Sequence, residues 1–110
     1  MALPEAESAR VDREKLMGYL LSESHPIGRS KAKFFRGIGF DESNAALLEL
    51  GLLGIARSEP VVESVLSRHG MKYIVDGAIT TPLGSRVKLR TIWIIDQGQE
   101  HPRFVTAYPL

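Results

Sequence analysis

The stretch Arg86–Asp96, RVKLRTIWIID, decides the fold. It runs without Gly or Pro and is rich in β-branched and aromatic residues, the composition of a strand. In its first half Arg86, Lys88 and Arg90 alternate with Val87, Leu89 and Thr91, which gives one end of the strand a basic face. From Ile92 the alternation gives way to an apolar run, Ile92, Trp93, Ile94 and Ile95, as expected of a strand covered on both sides with Trp93 in the core. Working outward, Met71–Thr80 reads as the preceding strand, joined through Thr81-Pro82-Leu83-Gly84-Ser85, where Pro and Gly mark a turn. Arg103–Tyr108 follows across a short polar loop that contains Glu100 and His101. Three strands on short connections predict an antiparallel meander.

The first half of the chain reads differently. Leu16, Tyr19 and Leu20 have helical spacing within Val11–Leu21, with Asp12 or a neighbour as cap. After the loop Ser22–Gly28, Ser30 is placed to cap a helix over Lys31–Ile38 that packs Ala32 and Phe35 inward and turns Lys31, Lys33 and Arg36 outward. Asp41 or Asn44 opens the most apolar helix, which runs to Ala56, and Gly51 and Gly54 leave room on it for another element. Ser58–Gly70 has two readings, a short helix begun by Pro60 or an irregular edge strand through Val61, Val62, Val65 and Leu66, and the strand is preferred. Helices followed by strands predict an α+β fold with the N-terminal helices on one face of a three- to four-stranded antiparallel sheet. Residues 1–10 have few apolar anchors and are expected to be flexible, leaving 11–110 as a single domain.

Composition narrows the function classes. The chain has 44% hydrophobic and 25% charged residues, the proportions of an ordinary globular protein. Net charge is only +1, so any affinity for anions has to come from local clusters. Two exist: Arg29, Lys31, Lys33 and Arg36, and the face Arg86, Lys88 and Arg90. The absence of cysteine excludes disulfide and thiol chemistry. No apolar run approaches the roughly 18 residues of a membrane span, and the acidic start MALPEAESAR lacks a signal-peptide core, so a cytoplasmic protein without membrane association is expected. His25, His69 and His101 are too dispersed for a metal motif, and neither a P-loop nor a nucleophile elbow occurs.

Two segments remain for chemistry. In His25-Pro26-Ile27-Gly28-Arg29-Ser30-Lys31 an imidazole, a guanidinium and an ammonium gather at the start of a helix, where backbone N–H groups favour anions. This is either a phosphate site with His25 as general acid or base, or a capped loop beside a solvated basic helix. In Arg103–Pro109, strict alternation puts Phe104, Thr106 and Tyr108 on one face and Arg103, Val105 and Ala107 on the other. That is either a phosphate- and base-binding edge or a half-buried amphipathic strand, and the same edge offers a homo-oligomer contact.

The segments KLMGYLL at 15–21, HPIGRSKAKFF at 25–35, GIGF at 37–40 and WIID with PRFVTAYP up to residue 109 together resemble a family of short bacterial domains of unknown function. Members of that family resemble free-standing proteins or C-terminal toxin domains encoded beside a small partner. The ending Val105–Pro109 is also similar to the tails of ribonuclease toxins with the barnase, EndoU, colicin and RelE fold. That likeness implies a metal-independent endoribonuclease without cofactor, acting on RNA and neutralised by a small antitoxin or immunity protein. On this resemblance His25 is the acid or base, Lys31 and Arg29 clamp phosphate, and Thr106 and Tyr108 contact phosphate or base, with Arg90 and Thr91 as further contacts. The expected set is thus His25, Lys31, Thr106 and Tyr108 as catalytic residues, with Arg29, Lys33, Arg90 and Arg103 binding substrate. The other reading, from a different class, is a non-catalytic domain that binds a small partner protein.

Overall fold

The computed structural model describes all 110 residues. A short helical turn, Arg13–Lys15 (α1), continues into a π-helical turn over Leu16–Leu20. Two longer helices follow, Arg29–Gly37 (α2) and Ala45–Ser58 (α3). The strands are Val61–Ser67 (β1), Gly70–Thr80 (β2), Arg86–Asp96 (β3) and Arg103–Pro109 (β4). They form one antiparallel sheet in the order β1-β2-β3-β4, so Ser58–Gly70 holds the edge strand of the meander rather than a helix. The fold is α+β, three helices against a four-stranded sheet, as the sequence predicts.

Residues 71, 73 and 75 of β2 and 87, 89, 91 and 93 of β3 face the helices. There Tyr73, Val75, Leu89 and Trp93 pack with Leu20, Phe35, Phe40, Leu48 and Leu52. Burying side chains of this size stabilises the fold by about 1.5–3 kcal/mol each. Trp93 is fully buried, and its Nε1–H donates to the Thr91 hydroxyl at 2.8 Å, which donates to the Val75 carbonyl at 2.6 Å. Thr91 is therefore a core hydrogen-bond relay and not a substrate contact. Ile94 is buried on the other face of the sheet, where its cross-strand partner is Arg103.

Strict alternation fails in β4 because of a bulge. Ile92 pairs with Thr106 but Trp93 pairs with Phe104, so Val105 is an extra residue. Phe104 and Ala107 are consequently fully buried on the helix side, whereas Arg103, Thr106 and Tyr108 all face the other way. Strict alternation predicts Phe104 beside Thr106, and one inserted residue reverses that.

The first ten residues, expected to be flexible, lie against the fold. Leu3 and Ala9 are buried, and the Met1 carbonyl accepts from the Val61 N–H at 2.6 Å. Arg10 takes part of the outer edge of β4: its N–H donates to the Pro102 carbonyl at 3.1 Å and its carbonyl accepts from the Phe104 N–H at 2.9 Å. The β4 edge proposed as a homo-oligomer contact is thus partly occupied at its start. β1 is different: five consecutive residues, Val62 to Leu66, are exposed.

Candidate functional site: a polar cleft built on Tyr19

The start of α2 is set by a side chain that composition does not flag as a cap. The His25 Nδ1 accepts hydrogen bonds from the backbone N–H groups of Ile27 at 3.1 Å and Gly28 at 2.9 Å. With those donors satisfied, the helix begins at Arg29 with Gly28 as N-cap, ahead of the Ser30 cap expected from sequence. Gly28 is required by proximity: a Cβ there would lie 2.3 Å from the Tyr19 carbonyl oxygen. This close approach brings the His25 loop onto the π-helical turn. The His25 ring sits edge-on to the Tyr19 ring, with centroids 5.2 Å apart at 86°.

Tyr19 is the residue around which the site is built. Its hydroxyl is 3.0 Å from the Thr106 hydroxyl. The Nζ atoms of Lys15 and Lys31 lie 4.9 and 5.8 Å from its ring centroid, cation–π distances in both cases. Beside it opens a cleft of about 430 Å³ lined by Asp12, Glu14, Lys15, Tyr19, His25 and Arg103. Arg103 is held there by Asp96 through two hydrogen bonds, Nε to Oδ2 at 2.6 Å and Nη2 to Oδ1 at 3.0 Å. Those bonds hold the Asp96 carboxyl below its ordinary value and raise the Arg103 guanidinium, against the opposing effect of burial. Arg103 therefore stays charged, with its Nη1 outside the pair.

His25, Lys31, Thr106 and Arg103 thus converge. The remaining expected residues divide into two groups. Arg29 and Lys33, one helical turn apart on α2, line a separate groove of about 430 Å³ with Ser30, Arg36 and Glu23. Lys31, two residues from each, points to the opposite side of the helix and reaches Tyr19. Arg36 is not a free cation, because it donates to the Leu21 carbonyl at 3.0 and 2.7 Å and pairs with Glu42. On the sheet face Tyr108 is the cross-strand partner of Arg90. Arg90 is bound in a bidentate pair to Asp76, with both contacts at 2.9 Å, so the basic face read along β3 is neutralised at its inner end. Tyr108 lies two residues from Thr106 on the same face, about 7 Å along the strand.

Two contributors escape a reading of the sequence. Tyr19 fits the apolar helical pattern and reads as core, and Lys15 reads as a solvated helix position. No group of three His, Cys, Asp or Glu side chains is placed to hold a metal. No helix is long and apolar enough to cross a membrane.

A three-helix, four-stranded α+β domain with a cleft of mixed charge beside its last strand defines the structural class. The chain belongs to the family described as domain of unknown function DUF6883, which matches residues 2–110. No curated protein matches the sequence. Among solved structures, a chain of a contact-dependent growth inhibition toxin–immunity protein complex from Klebsiella pneumoniae 342 is similar at a TM-score of 0.69 and 18% identity, covering 96% of both chains. At that identity the likeness is one of fold.

Proposed function

We propose that this domain is a metal-independent endoribonuclease, the toxin of a toxin–immunity or toxin–antitoxin pair, acting on RNA in the cytoplasm. One observation carries the reading: Tyr19 gathers His25, Lys15, Lys31 and Thr106 beside a cleft that also contains Arg103. A phosphodiester in that cleft meets cations for the charge that develops as the 2′-oxygen attacks phosphorus and the 5′-oxygen leaves. Tyr19 and Thr106 share one hydrogen bond, which leaves one hydroxyl proton free for a phosphoryl oxygen.

His25 acts here as a hydrogen-bond donor. Two backbone N–H groups point at Nδ1, so the neutral ring carries its proton on Nε2 and presents it as an N–H. In this arrangement His25 stabilises charge on the phosphate and neither gains nor loses a proton. Tyr108 on the sheet face, and Arg29 with Lys33 on the far side of α2, extend the contact to neighbouring nucleotides.

The test is inducible expression in a bacterial host of wild type beside the His25→Ala plus Lys31→Ala double variant, with total RNA separated on a gel. Growth arrest and discrete fragments ending in 2′,3′-cyclic phosphate are expected from wild type alone, with cleavage by the purified protein unaffected by EDTA. Normal growth with intact RNA from folded wild type refutes the nuclease.

A second reading, a non-catalytic domain that binds a small partner protein, has its own support in β1. Val62, Val65 and Leu66 are 55%, 41% and 77% exposed on an edge strand whose outer backbone groups can pair with a strand of the partner. Calorimetric titration of the protein with a small partner protein of the kind the family resemblance implies tests it. Binding that Val65→Lys abolishes, with RNA left intact throughout, favours this reading over the first.

A further inference from the structure

We infer that Glu14 is the general base that takes the proton from the attacking 2′-hydroxyl. The inference rests on the endoribonuclease reading above and supplies what that reading lacks, a proton acceptor in the cleft. The argument is one of available lone pairs. His25 has none to offer, because Nδ1 is occupied by the N–H groups of Ile27 and Gly28, and Nε2 carries the ring proton. Lys15 and Arg103 are cations and carry only donors. The Tyr19 and Thr106 hydroxyls, bonded to each other, are neutral oxygens and far weaker proton acceptors than a carboxylate. Two carboxylates remain along the cleft, Asp12 and Glu14. Asp12 is tied at one oxygen, its Oδ1 accepting from Arg10 Nε at 3.0 Å in an ion pair that draws its charge away, so it is the weaker candidate of the two. Glu14 takes part in none of the five ion pairs of the protein and in no side-chain hydrogen bond, and it is exposed at the mouth of the cleft.

The step balances as follows. The Glu14 carboxylate takes the proton of the 2′-hydroxyl, and the 2′-oxygen forms its bond to phosphorus. The bond from phosphorus to the 5′-oxygen breaks, its electron pair stays on that oxygen, and a proton from one of the two lysine ammonium groups on the Tyr19 ring neutralises it. The products are a 2′,3′-cyclic phosphate and a 5′-hydroxyl. Proton return from the Glu14 carboxylic acid to the lysine amine through water restores the starting state.

The experiment compares purified wild type, Glu14→Gln, Glu14→Asp and Lys15→Ala plus Lys31→Ala, each checked for fold by circular dichroism. Two substrates are used, an RNA oligonucleotide and uridine 3′-(4-nitrophenyl phosphate), whose leaving group needs no proton. Glu14→Gln is expected to lower kcat/KM by about 100- to 10,000-fold on both substrates. It should also remove the acid limb of the pH–rate profile, and Glu14→Asp should restore part of the rate. The double lysine variant should lose less on the nitrophenyl ester than on RNA. A Glu14→Gln protein within about 3-fold of an active wild type overturns the assignment while leaving the nuclease in place, the result for an acid that only favours the first turn of its helix. Wild type that cleaves neither substrate overturns both.

Discussion

The hydroxyls of Tyr19 and Thr106 lie 3.0 Å apart across 87 positions of sequence, and through this contact the N-terminal helical turn is fastened to the last strand. Tyr19→Phe keeps the ring on which His25, Lys15 and Lys31 rest and removes only this bond. Thermal unfolding should shift by no more than about 1 kcal/mol, the net worth of one hydrogen bond. Cleavage should fall about 10-fold or more, because a preorganised donor at the phosphate is lost. Equal losses of stability and activity would mean that the contact only holds the fold together.

Gly28 tests whether the approach of α2 to the π-helical turn builds the site. Its backbone φ of −76° suits any residue, so the need for glycine is spatial: a Cβ would overlap the Tyr19 carbonyl at 2.3 Å. Gly28→Ala should destabilise by about 1–3 kcal/mol, as overpacking does. It should also push His25 and Lys31 away from Tyr19, costing activity beyond the loss of folded protein. The comparison of residual activity per folded molecule, by circular dichroism and RNA cleavage together, decides this.

Sheet and helices were legible in the sequence where a pattern repeats. RVKLRTIWIID marks β3 with its observed bounds, and Asp41 marks the start of the turn that leads into α3, where its side chain accepts from the Ser43 N–H. Single-residue events were not legible. The extra Val105 leaves no mark in a short strand, yet it moves Phe104 into the core and turns Thr106 and Tyr108 to the face shared with Arg103. In the same way, nothing in HPIG announces that the His25 imidazole replaces Ser30 in serving the helix start. His25, Lys31 and Thr106 stand out in the sequence because their chemistry is conspicuous, and the structure sets each against Tyr19. Tyr19 does not stand out, because a tyrosine at helical spacing reads as packing until its hydroxyl partner is known.

Thr91 provides a control for the distinction between core and site. Its hydroxyl is buried between the Trp93 indole N–H and the Val75 carbonyl. Thr91→Val keeps the shape and leaves the buried Trp93 indole N–H without its acceptor, so a loss of about 1–3 kcal/mol is expected by urea denaturation. Cleavage per folded molecule should remain at the wild-type level; a selective loss of activity would return Thr91 to the substrate contacts.

Acid should loosen the site only once the pH falls into and below the ordinary carboxylate range of the unfolded chain. Asp96 is held below its ordinary value, first by hydrogen bonds from Arg103. A carboxylate with a depressed folded value contributes stability that is fully present above its unfolded value, about 3.9, and is lost as pH falls through the folded one. Asp41, lowered by the Ser43 hydroxyl, and Glu42, lowered by Arg36, act with the same sign. Unfolding midpoints should therefore hold steady from neutrality to about pH 5 and decline below about pH 4. Asp96→Asn should lower stability at neutral pH and flatten that decline, since the group that titrates is gone. An Asp96→Asn protein with the full wild-type acid slope would place the titration at Asp41 and Glu42 and leave the Arg103 pair without a stabilising role.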